Sequence, residues 1–179
     1  MYFVYFVVPH EDAPMPRSAP QDDPDAVTVA ETGVGHFQVE VTAPGATFLA
    51  DEPEHAGGLG SGPNPYDLLA AALGACTTMT MRLYAERKGW PLERAMVRVV
   101  HAREGLKGRD RFAREIVLKG PLDKAQIARL LEIADKCPVH RTLETGSEII
   151  TVLSAPPPAD SLALAGEAHL RDMLEACAE

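Results

Sequence analysis

The alternation of apolar and polar residues predicts short antiparallel strands in the first third of the chain. Between residues 26 and 50, the alternating runs VTVAETG and HFQVEVTA are separated by a Gly-Val-Gly turn, and the run ATFLA follows a Pro-Gly pair. A period of two places every second side chain on the same face of a sheet, and glycine and proline pairs mark turns. The pattern therefore predicts a meander of short strands.

A long helix is predicted after the glycine-rich loop of residues 51–64. Asn64 is a favourable N-cap, Pro65 suits the first helical position, and Asp67 lies where a capping box places its acidic residue. The helix ends before Gly89, a residue type that commonly terminates helices. Its apolar stripe has helical spacing and consists of Leu68, Ala72, Cys76, Met79 and Leu83. Together with its many small residues, this stripe predicts a central, largely buried helix.

The second half of the domain is predicted to contain a hairpin, a helix and a closing strand. Alternation over residues 94–102 and 112–119, on either side of a polar turn, indicates two paired strands. A second helix opens near Asp123 and breaks at Pro138. Its inward side chains are expected to be Ile127, Leu130, Leu131 and Ala134. Residues 148–153 are predicted to form the final strand.

Proline-rich segments delimit one folded domain. Residues 1–25 are predicted to be a flexible extension, because most of this segment is rich in proline and acid and has little apolar surface to bury. Its opening run, MYFVYFVVP, is too short to cross a bilayer and lacks the positive start of a secretory leader, so it indicates an added edge strand or an unordered start. The folded domain covers residues 26–154, and residues 155–179 form a proline-rich spacer and a C-terminal packing helix.

The composition narrows the possible partners. The chain has 179 residues with 17 Lys and Arg against 26 Asp and Glu, which gives a net charge of −9. Nucleic acid is not expected as a partner, because phosphate contacts require a basic surface. A membrane is not expected either. Three cysteines do not form the pattern of a disulfide-rich secreted domain, so we expect a cytoplasmic protein.

The cysteines are the strongest candidates for chemistry. Cys137 lies at a predicted helix exit near Lys136, His140 and Arg141, and cationic neighbours lower the pKa of a thiol by stabilising the thiolate. Cys76 lies in the middle of a helix, so its activation would depend on tertiary contacts. The alternative for each cysteine is a purely structural role as a small apolar residue in the core.

Other kinds of site have less support. Cys137 and His140 have the spacing of half a zinc site, but no second half is present, so no metal is expected. The segment DEPEH at residues 51–55 could form a general-base cluster, but a solvated acidic loop explains it better. There is no phosphate-binding glycine loop, serine-hydrolase elbow or zincin motif, and we expect no cofactor.

Two sequence blocks together resemble the OsmC/Ohr family of osmotically inducible and organic-hydroperoxide-resistance proteins. They are GGLGSGPNPYDLLAAALGACTTMTMRLYAERKGWPLE and ADKCPVHRTLE, and the resemblance covers residues 27–153. The first block looks most like the OsmC-like domains that are sometimes fused behind an α/β-hydrolase domain. The resemblance implies an α+β fold with antiparallel sheets packed around two central helices. It also implies an intertwined homodimer with active sites at the interface.

The same resemblance implies a peroxidase that protects against oxidative stress. Cys76 falls at the family's peroxidatic cysteine and Cys137 at its resolving cysteine. In the implied reaction, Cys76 reduces an organic hydroperoxide and becomes a sulfenic acid, and Cys137 condenses with it to form a disulfide. An external dithiol then reduces the disulfide.

Two departures from the family pattern leave an alternative open. Members of the family hold the thiolate with an arginine from the loop before the cysteine helix and a glutamate shortly after the Asn-Pro step. Here residues 51–64 contain no arginine, and Tyr66 occupies the glutamate position. Arg141 and Asp67 are the candidates for thiolate support. The alternative function is a non-catalytic dimer that binds a small apolar or thiol ligand in its interfacial pocket.

Overall fold

The computed structural model describes residues 26–105, 107–151 and 168–178. Within these residues, two antiparallel sheets and four α-helices form an α+β fold, which confirms the predicted fold class. The helices and strands all belong to one unit formed by residues 25–149 and 166–179. The predicted N-terminal extension, the proline-rich spacer and the start of the tail helix lie outside the described residues, and the domain boundaries stay a prediction.

The first sheet has the order β1-β2-β3, with each strand antiparallel to the next. Its strands are β1 (Thr28–Glu31), β2 (Val39–Ala43) and β3 (Ala46–Ala50). The β2–β3 hairpin turns at Gly45, whose φ of 79° lies in the left-handed region that glycine adopts without a steric cost. The predicted meander is confirmed.

The loop after β3 is organised around the buried carboxylate of Asp51. This carboxylate accepts hydrogen bonds from the backbone N–H groups of Glu52 and Leu59, both at 2.9 Å, and from the hydroxyl of Ser61 at 2.9 Å. Burial by itself raises the pKa of Asp51. The hydrogen bonds from Ser61, Leu59 and Glu52 together lower the pKa by more than burial raises it, so the pKa lies below its ordinary value. Asp51 therefore holds the loop that leads into the first helix.

Helix α1 (Pro65–Arg87) begins at the predicted capping box. Asn64 Oδ1 accepts hydrogen bonds from Tyr66 N at 2.9 Å and Asp67 N at 3.0 Å. In return, Asp67 Oδ2 accepts one from Asn64 N at 3.1 Å. These bonds satisfy backbone donors that the first turn of a helix leaves unpaired.

The buried face of α1 differs from the predicted stripe. It consists of Leu73, Cys76, Thr77, Thr80, Met81, Tyr84 and Ala85. Met79 is 53% exposed and Ala72 also lies at the surface, so the prediction of a largely buried helix is wrong for one face. The buried threonines explain the difference. Thr77 Oγ1 donates to Leu73 O at 2.7 Å and Thr80 Oγ1 to Cys76 O at 2.8 Å, so neither buries an unpaired hydroxyl.

By length and composition alone, α1 could also cross a membrane. A core helix meets the same criterion, and the buried face of α1 packs against the second sheet and two other helices. The apolar composition of α1 is therefore accounted for by its place in the fold.

The second sheet is the predicted hairpin of β4 (Arg94–Ala102) and β5 (Arg111–Lys119). Helix α2 (Lys124–Asp135) follows and packs against α1. Its buried residues are Leu130, Ile133 and Ala134. The predicted inward positions Ile127 and Leu131 are instead exposed, because the buried face of α2 is centred on Leu130 and Ile133.

The predicted break at Pro138 is the start of a further helix, α3 (Pro138–Thr145). Cys137 is its N-cap, and the Cys137 sulfur accepts a hydrogen bond from His140 N at 3.4 Å. Proline is favoured in the first turn because it lacks the N–H that would be unpaired there. The helix escapes prediction because cysteine is not among the usual N-cap residues.

The segment predicted to be the final strand does not form one where it is described. Residues 148–151 have no strand structure, and residues 152 and 153 lie outside the described part of the chain. Ile149 is 86% exposed, and a strand requires a neighbouring strand for its backbone hydrogen bonds. No described strand pairs with residues 148–151.

The described part of the C-terminal tail contains helix α4 (Ala168–Ala176). Met173, Ala176 and Cys177 are buried, and Cys177 belongs to the core cluster that includes Met81 and Leu130. These residues pack against the core, and the bounds of the predicted C-terminal helix stay a prediction.

Candidate active site

The fold brings Cys76 and Cys137 together. Cys76 lies on the buried face of α1 and is 2% exposed, and Cys137 caps α3 and is 0% exposed. Both belong to one buried cluster with Leu73. Partly buried apolar side chains pack around this cluster, namely Val99, Phe112, Val139 and Leu143. Both cysteines are free thiols, so the site has two adjacent thiols shielded from water.

The surroundings of Cys137 favour its thiolate. The pKa of this thiol is lowered to about 6, and the largest cause is its hydrogen bond with the Cys76 thiol. Burial opposes the change, whereas the His140 backbone N–H and the positive charge of Arg114 reinforce it. Thr77 Oγ1 lies 3.5 Å from Cys137 Sγ. A thiol with this pKa is mostly ionised at neutral pH.

A buried cation of the site is Arg114 on β5, which the sequence pattern did not reveal. Its guanidinium is largely buried, and Nη1 donates to Thr77 Oγ1 and to Ala134 O, both at 2.9 Å. Nη2 donates to Asp135 Oδ1 at 2.6 Å. Arg114 therefore positions the hydroxyl beside Cys137 and adds a positive charge near the thiolate. Its place on the inward face of an alternating strand is the signal that could have revealed it.

Arg114 also orients His140. Arg114 Nη2 lies 2.9 Å from His140 Nδ1, and since a guanidinium has only donors, Nδ1 must accept. The ring hydrogen is then on Nε2, which lies 3.5 Å from Glu144 Oε2. The His140 side chain is thus fixed at the site while its backbone N–H points at Cys137 Sγ.

The surroundings of Cys76 favour its protonated form. The hydrogen bond with Cys137 is the largest cause of a raised pKa at Cys76, and burial adds to it. The Val139 backbone N–H, which lies 3.5 Å from Cys76 Sγ, acts in the opposite direction. His169 Nε2 on α4 lies 3.4 Å from the same sulfur. These surroundings favour the proton on Cys76 and the negative charge on Cys137.

The two residues predicted to support the thiolate have other positions. Asp67 belongs to the capping box of α1 and is exposed. Arg141 is exposed on α3, in a cleft that also contains Asp172 and Glu175 of α4. Within the described part of the chain, neither makes a hydrogen bond or ion pair with a cysteine.

A cavity of about 190 Å³ adjoins the cysteine cluster. Its apolar lining includes Leu73, Phe112 and Leu143, which also pack around the two thiols. Arg114 and His140 contribute to its polar side. A small molecule with an apolar part could therefore bind beside the cysteines. The described residues contain no group of three or more His, Cys, Asp or Glu able to hold a metal ion.

The family model and the similar solved structures all point to OsmC-like proteins. Residues 58–152, more than half of the chain, match the family model described as OsmC-like protein. An OsmC-like protein from Mycoplasma pneumoniae is 20% identical with a TM-score of 0.58, covering 69% of this chain and 89% of its own. An organic hydroperoxide resistance protein from Legionella pneumophila is 24% identical with a TM-score of 0.52, covering 66% of this chain and 87% of its own.

A third similar structure has no assigned activity. This OsmC-like protein of unknown function from Vibrio cholerae O1 biovar eltor is 14% identical with a TM-score of 0.53, and the match covers 65% of this chain and 91% of that one. No curated protein matches the sequence significantly. At these identities the solved structures show a shared fold.

Proposed function

Because the chain belongs to the OsmC family, we propose that it is a thiol-dependent peroxidase that reduces organic hydroperoxides with Cys76 and Cys137. The observation that carries the proposal is the burial of these two thiols side by side in one apolar cluster. The name of the Legionella protein supports the substrate class.

The proposed reaction needs no cofactor. The Cys76 thiolate attacks the distal oxygen of the hydroperoxide, so that an S–O bond forms, the O–O bond breaks, and the leaving alkoxide takes up a proton to become an alcohol. The Cys137 thiolate then attacks the Cys76 sulfenic acid, which forms the disulfide and releases the hydroxyl as water after it takes up a proton. An external dithiol returns both cysteines to thiols by two exchange steps.

The protonation of the two cysteines affects the first step, the attack of Cys76 on the hydroperoxide. The surroundings favour the proton on Cys76 and the negative charge on Cys137, so the proton of Cys76 must leave before Cys76 can attack. The same observation favours a second candidate function, a non-catalytic dimer that binds a small apolar or thiol ligand. In that case the cavity beside Leu73 and Phe112 would hold the ligand without oxidation of Cys76.

We further propose a cytoplasmic homodimer. A groove of about 500 Å³ lies between the exposed face of α1 and β4 and includes Met79. Small side chains line much of it, which permits close approach of a second chain. The free cysteines are compatible with a reducing compartment.

The deciding experiment counts thiols by intact mass after one equivalent of cumene hydroperoxide. It compares the wild type with Cys76→Ser and Cys137→Ser, and uses Cys177→Ser as the control because Cys177 lies in the other core cluster. We expect the wild type and the control to lose two thiols rapidly, Cys137→Ser to accumulate a dimedone-reactive sulfenic acid, and Cys76→Ser to stay unreactive. Persistent wild-type thiols would contradict the peroxidase and favour the binding function. A sulfenic acid on Cys137 in Cys76→Ser would reverse the two roles.

A further inference from the structure

The C-terminal helix places an imidazole against the buried Cys76 thiol. His169 Nε2 on α4 lies 3.4 Å from Cys76 Sγ, across 93 positions of sequence. His169 lies beyond residues 58–152, the part of the chain that matches the family model. This contact therefore depends on a C-terminal helix that lies outside the region matched by the family model.

Cys76 needs a proton acceptor, and its other polar neighbours cannot serve as one. The Val139 N–H is a donor only. The Thr80 hydroxyl already donates to Cys76 O at 2.8 Å. Cys137, the remaining neighbour, is a weak base, because the His140 N–H and the positive charge of Arg114 stabilise its thiolate. Among the described residues, His169 is the base that reaches the sulfur.

The position of α4 is suited to such a role. Its buried end is fixed by a contact of Cys177 Sγ with Thr80 O at 3.7 Å and by a hydrogen bond from Arg87 Nη1 to Leu174 O at 3.1 Å. His169 lies at the other end, near the N-terminus of the helix, and is itself exposed. Its ring thus touches both the buried sulfur and the solvent, and a proton taken from Cys76 can exchange with water.

We propose that His169 is the proton acceptor of Cys76 in the peroxidase reaction, a role that rests on the function proposed above. The Cys76 S–H turns from Cys137 to His169 Nε2, the S–H bond breaks and the proton moves to that nitrogen, which requires the hydrogen of the neutral ring to be on Nδ1. The thiolate attacks the distal peroxide oxygen and the O–O bond breaks. The imidazolium returns the proton to the leaving alkoxide, so the products are a sulfenic acid, an alcohol and neutral His169.

Other charged groups around the pair influence the same equilibrium. Cys137, His140 and Arg114 lie on the side of α3 and β5. The cleft between α3 and α4 is lined by charged residues of both signs, namely Lys136, Arg141, Asp172 and Glu175. The test must therefore separate the effect of the imidazole from a change in the general charge of α4.

The test measures alkylation of Cys76 by iodoacetamide and uses no peroxide. The background variant Cys137→Ser removes the resolving thiol and keeps the Cys177 contact that fixes α4, and peptide mass analysis follows Cys76 separately from Cys177. In this background, His169→Gln removes the base, and Arg171→Gln is the matched control on the same helix, because it changes an exposed cation to the same amide. Rates are measured from pH 5.5 to 9, and circular dichroism and the thermal midpoint establish that each variant is folded.

We expect His169→Gln to lower the alkylation rate at pH 7 by about tenfold or more, and Arg171→Gln to change it by less than about twofold. At low pH an isolated thiol is protonated and reacts slowly, so any alkylation of Cys76 that persists there depends on the imidazole. His169→Gln should remove this low-pH part of the alkylation rate. Added imidazole should restore part of the rate in His169→Ala, which a purely structural role of the ring would not allow.

An unchanged rate and pH profile in folded His169→Gln would overturn the proposal, and so would an equal loss in Arg171→Gln. These outcomes are independent of the peroxidase activity. Hydroperoxide consumption by the wild type together with unchanged alkylation in His169→Gln would reject the role of His169 alone. Lack of consumption together with slow alkylation in His169→Gln would reject the peroxidase and keep the Cys76–His169 pair.

Discussion

At the scale of single residues, the hydrogen bonds to each sulfur decide where the charge of the cysteine pair lies. Cys137 Sγ has the His140 N–H, the Thr77 hydroxyl and the Cys76 thiol as partners, and Arg114 adds a positive charge. The cationic side chain predicted from the sequence to support a thiolate, Arg141, is exposed instead. An arginine three or four positions along the chain is thus less important than one that faces inward from a neighbouring strand.

Removing Arg114 should make Cys137 less reactive. Arg114→Gln removes the positive charge and loosens Thr77, so the pKa of Cys137 should rise from about 6 toward its ordinary value. We expect the pH midpoint of Cys137 alkylation, followed by peptide mass analysis, to move upward by about one unit. Arg111→Gln, an exposed change on the same strand, is the control and should leave the midpoint in place. An equal midpoint in both variants would show that Arg114 does not stabilise the thiolate.

The cysteine pair should also make folding stability depend on pH. The pKa of Cys137 is lowered in the folded state from 9.0 to about 6, so its contribution is complete above pH 9 and is lost as the pH falls toward 6. The free energy of unfolding should rise with pH across this window, by at most about 1.4 kcal/mol per pH unit. Above pH 9 the raised pKa of Cys76 has the opposite effect, and stability should fall again.

Urea denaturation of the reduced protein at several pH values measures this dependence. Cys137→Ser is the reference, because serine retains an N-cap for α3 but does not ionise. The difference in unfolding free energy between the wild type and this variant should increase from pH 6 to pH 9. A constant difference over this interval would show that Cys137 ionises in the folded protein as it does in the unfolded chain.

At the scale of elements, short-range hydrogen bonds fix the start of α1, whereas contacts between residues far apart in sequence surround the two thiols. The capping box of Asn64 and Asp67 was predictable because its partners are three residues apart. The loop before it is held by Asp51, whose hydrogen bonds with Ser61 span ten positions. Both features support the beginning of the helix that carries Cys76, and neither reaches the thiols.

Replacing Asp67 should therefore reduce stability without changing thiol chemistry. Asp67→Ala removes half of the capping box and should lower the free energy of unfolding by about 1 kcal/mol. Asp67→Glu retains an acidic capping partner and should cost less. The alkylation rates of Cys76 and Cys137 should be the same in both variants as in the wild type. A slower rate confined to Asp67→Ala would restore the role in thiolate support that the sequence suggested.

At the scale of the whole molecule, α1 has one face in the core and the other at the surface. The exposed face contributes Met79 to a groove whose other members include Val97 and Val99 of β4. Apolar surface of this kind commonly marks an interaction site. Residues 148–151, predicted as a strand, also lack a partner within the described chain. These features support the proposed homodimer.

A charge placed in the groove should weaken the dimer. Met79→Glu introduces a carboxylate that a second chain would have to desolvate, which is costly without a paired cation. Sedimentation velocity at micromolar concentration should show a dimer for the wild type and a shift toward monomer for this variant. Lys88→Glu, an exposed change after the end of the same helix, should leave the mass unchanged. A folded wild-type monomer at this concentration would contradict the homodimer.

A feature of this protein can be predicted from the sequence when the residues that produce it lie close together along the chain. The turns, the hairpin, the capping box and most of the elements follow from patterns within a few residues, and the two cysteine blocks identify the family. The buried face of α1 was assigned wrongly, because Thr77 and Thr80 satisfy their hydroxyls on the helix backbone and become buried residues. Helix α3 was missed because a cysteine caps it.

The sequence alone determined the first sheet, the hairpin, α1 and α2 and singled out Cys76 and Cys137, because these follow from local chemistry and recognisable motifs. Tertiary structure decided which groups surround the two sulfurs. Arg114 reaches the site from a strand and His169 from the C-terminal helix, each many positions away from the cysteine that it influences. The charge of a buried thiol depends on donors, bases and dielectric within a few ångströms, and only folding brings those groups together.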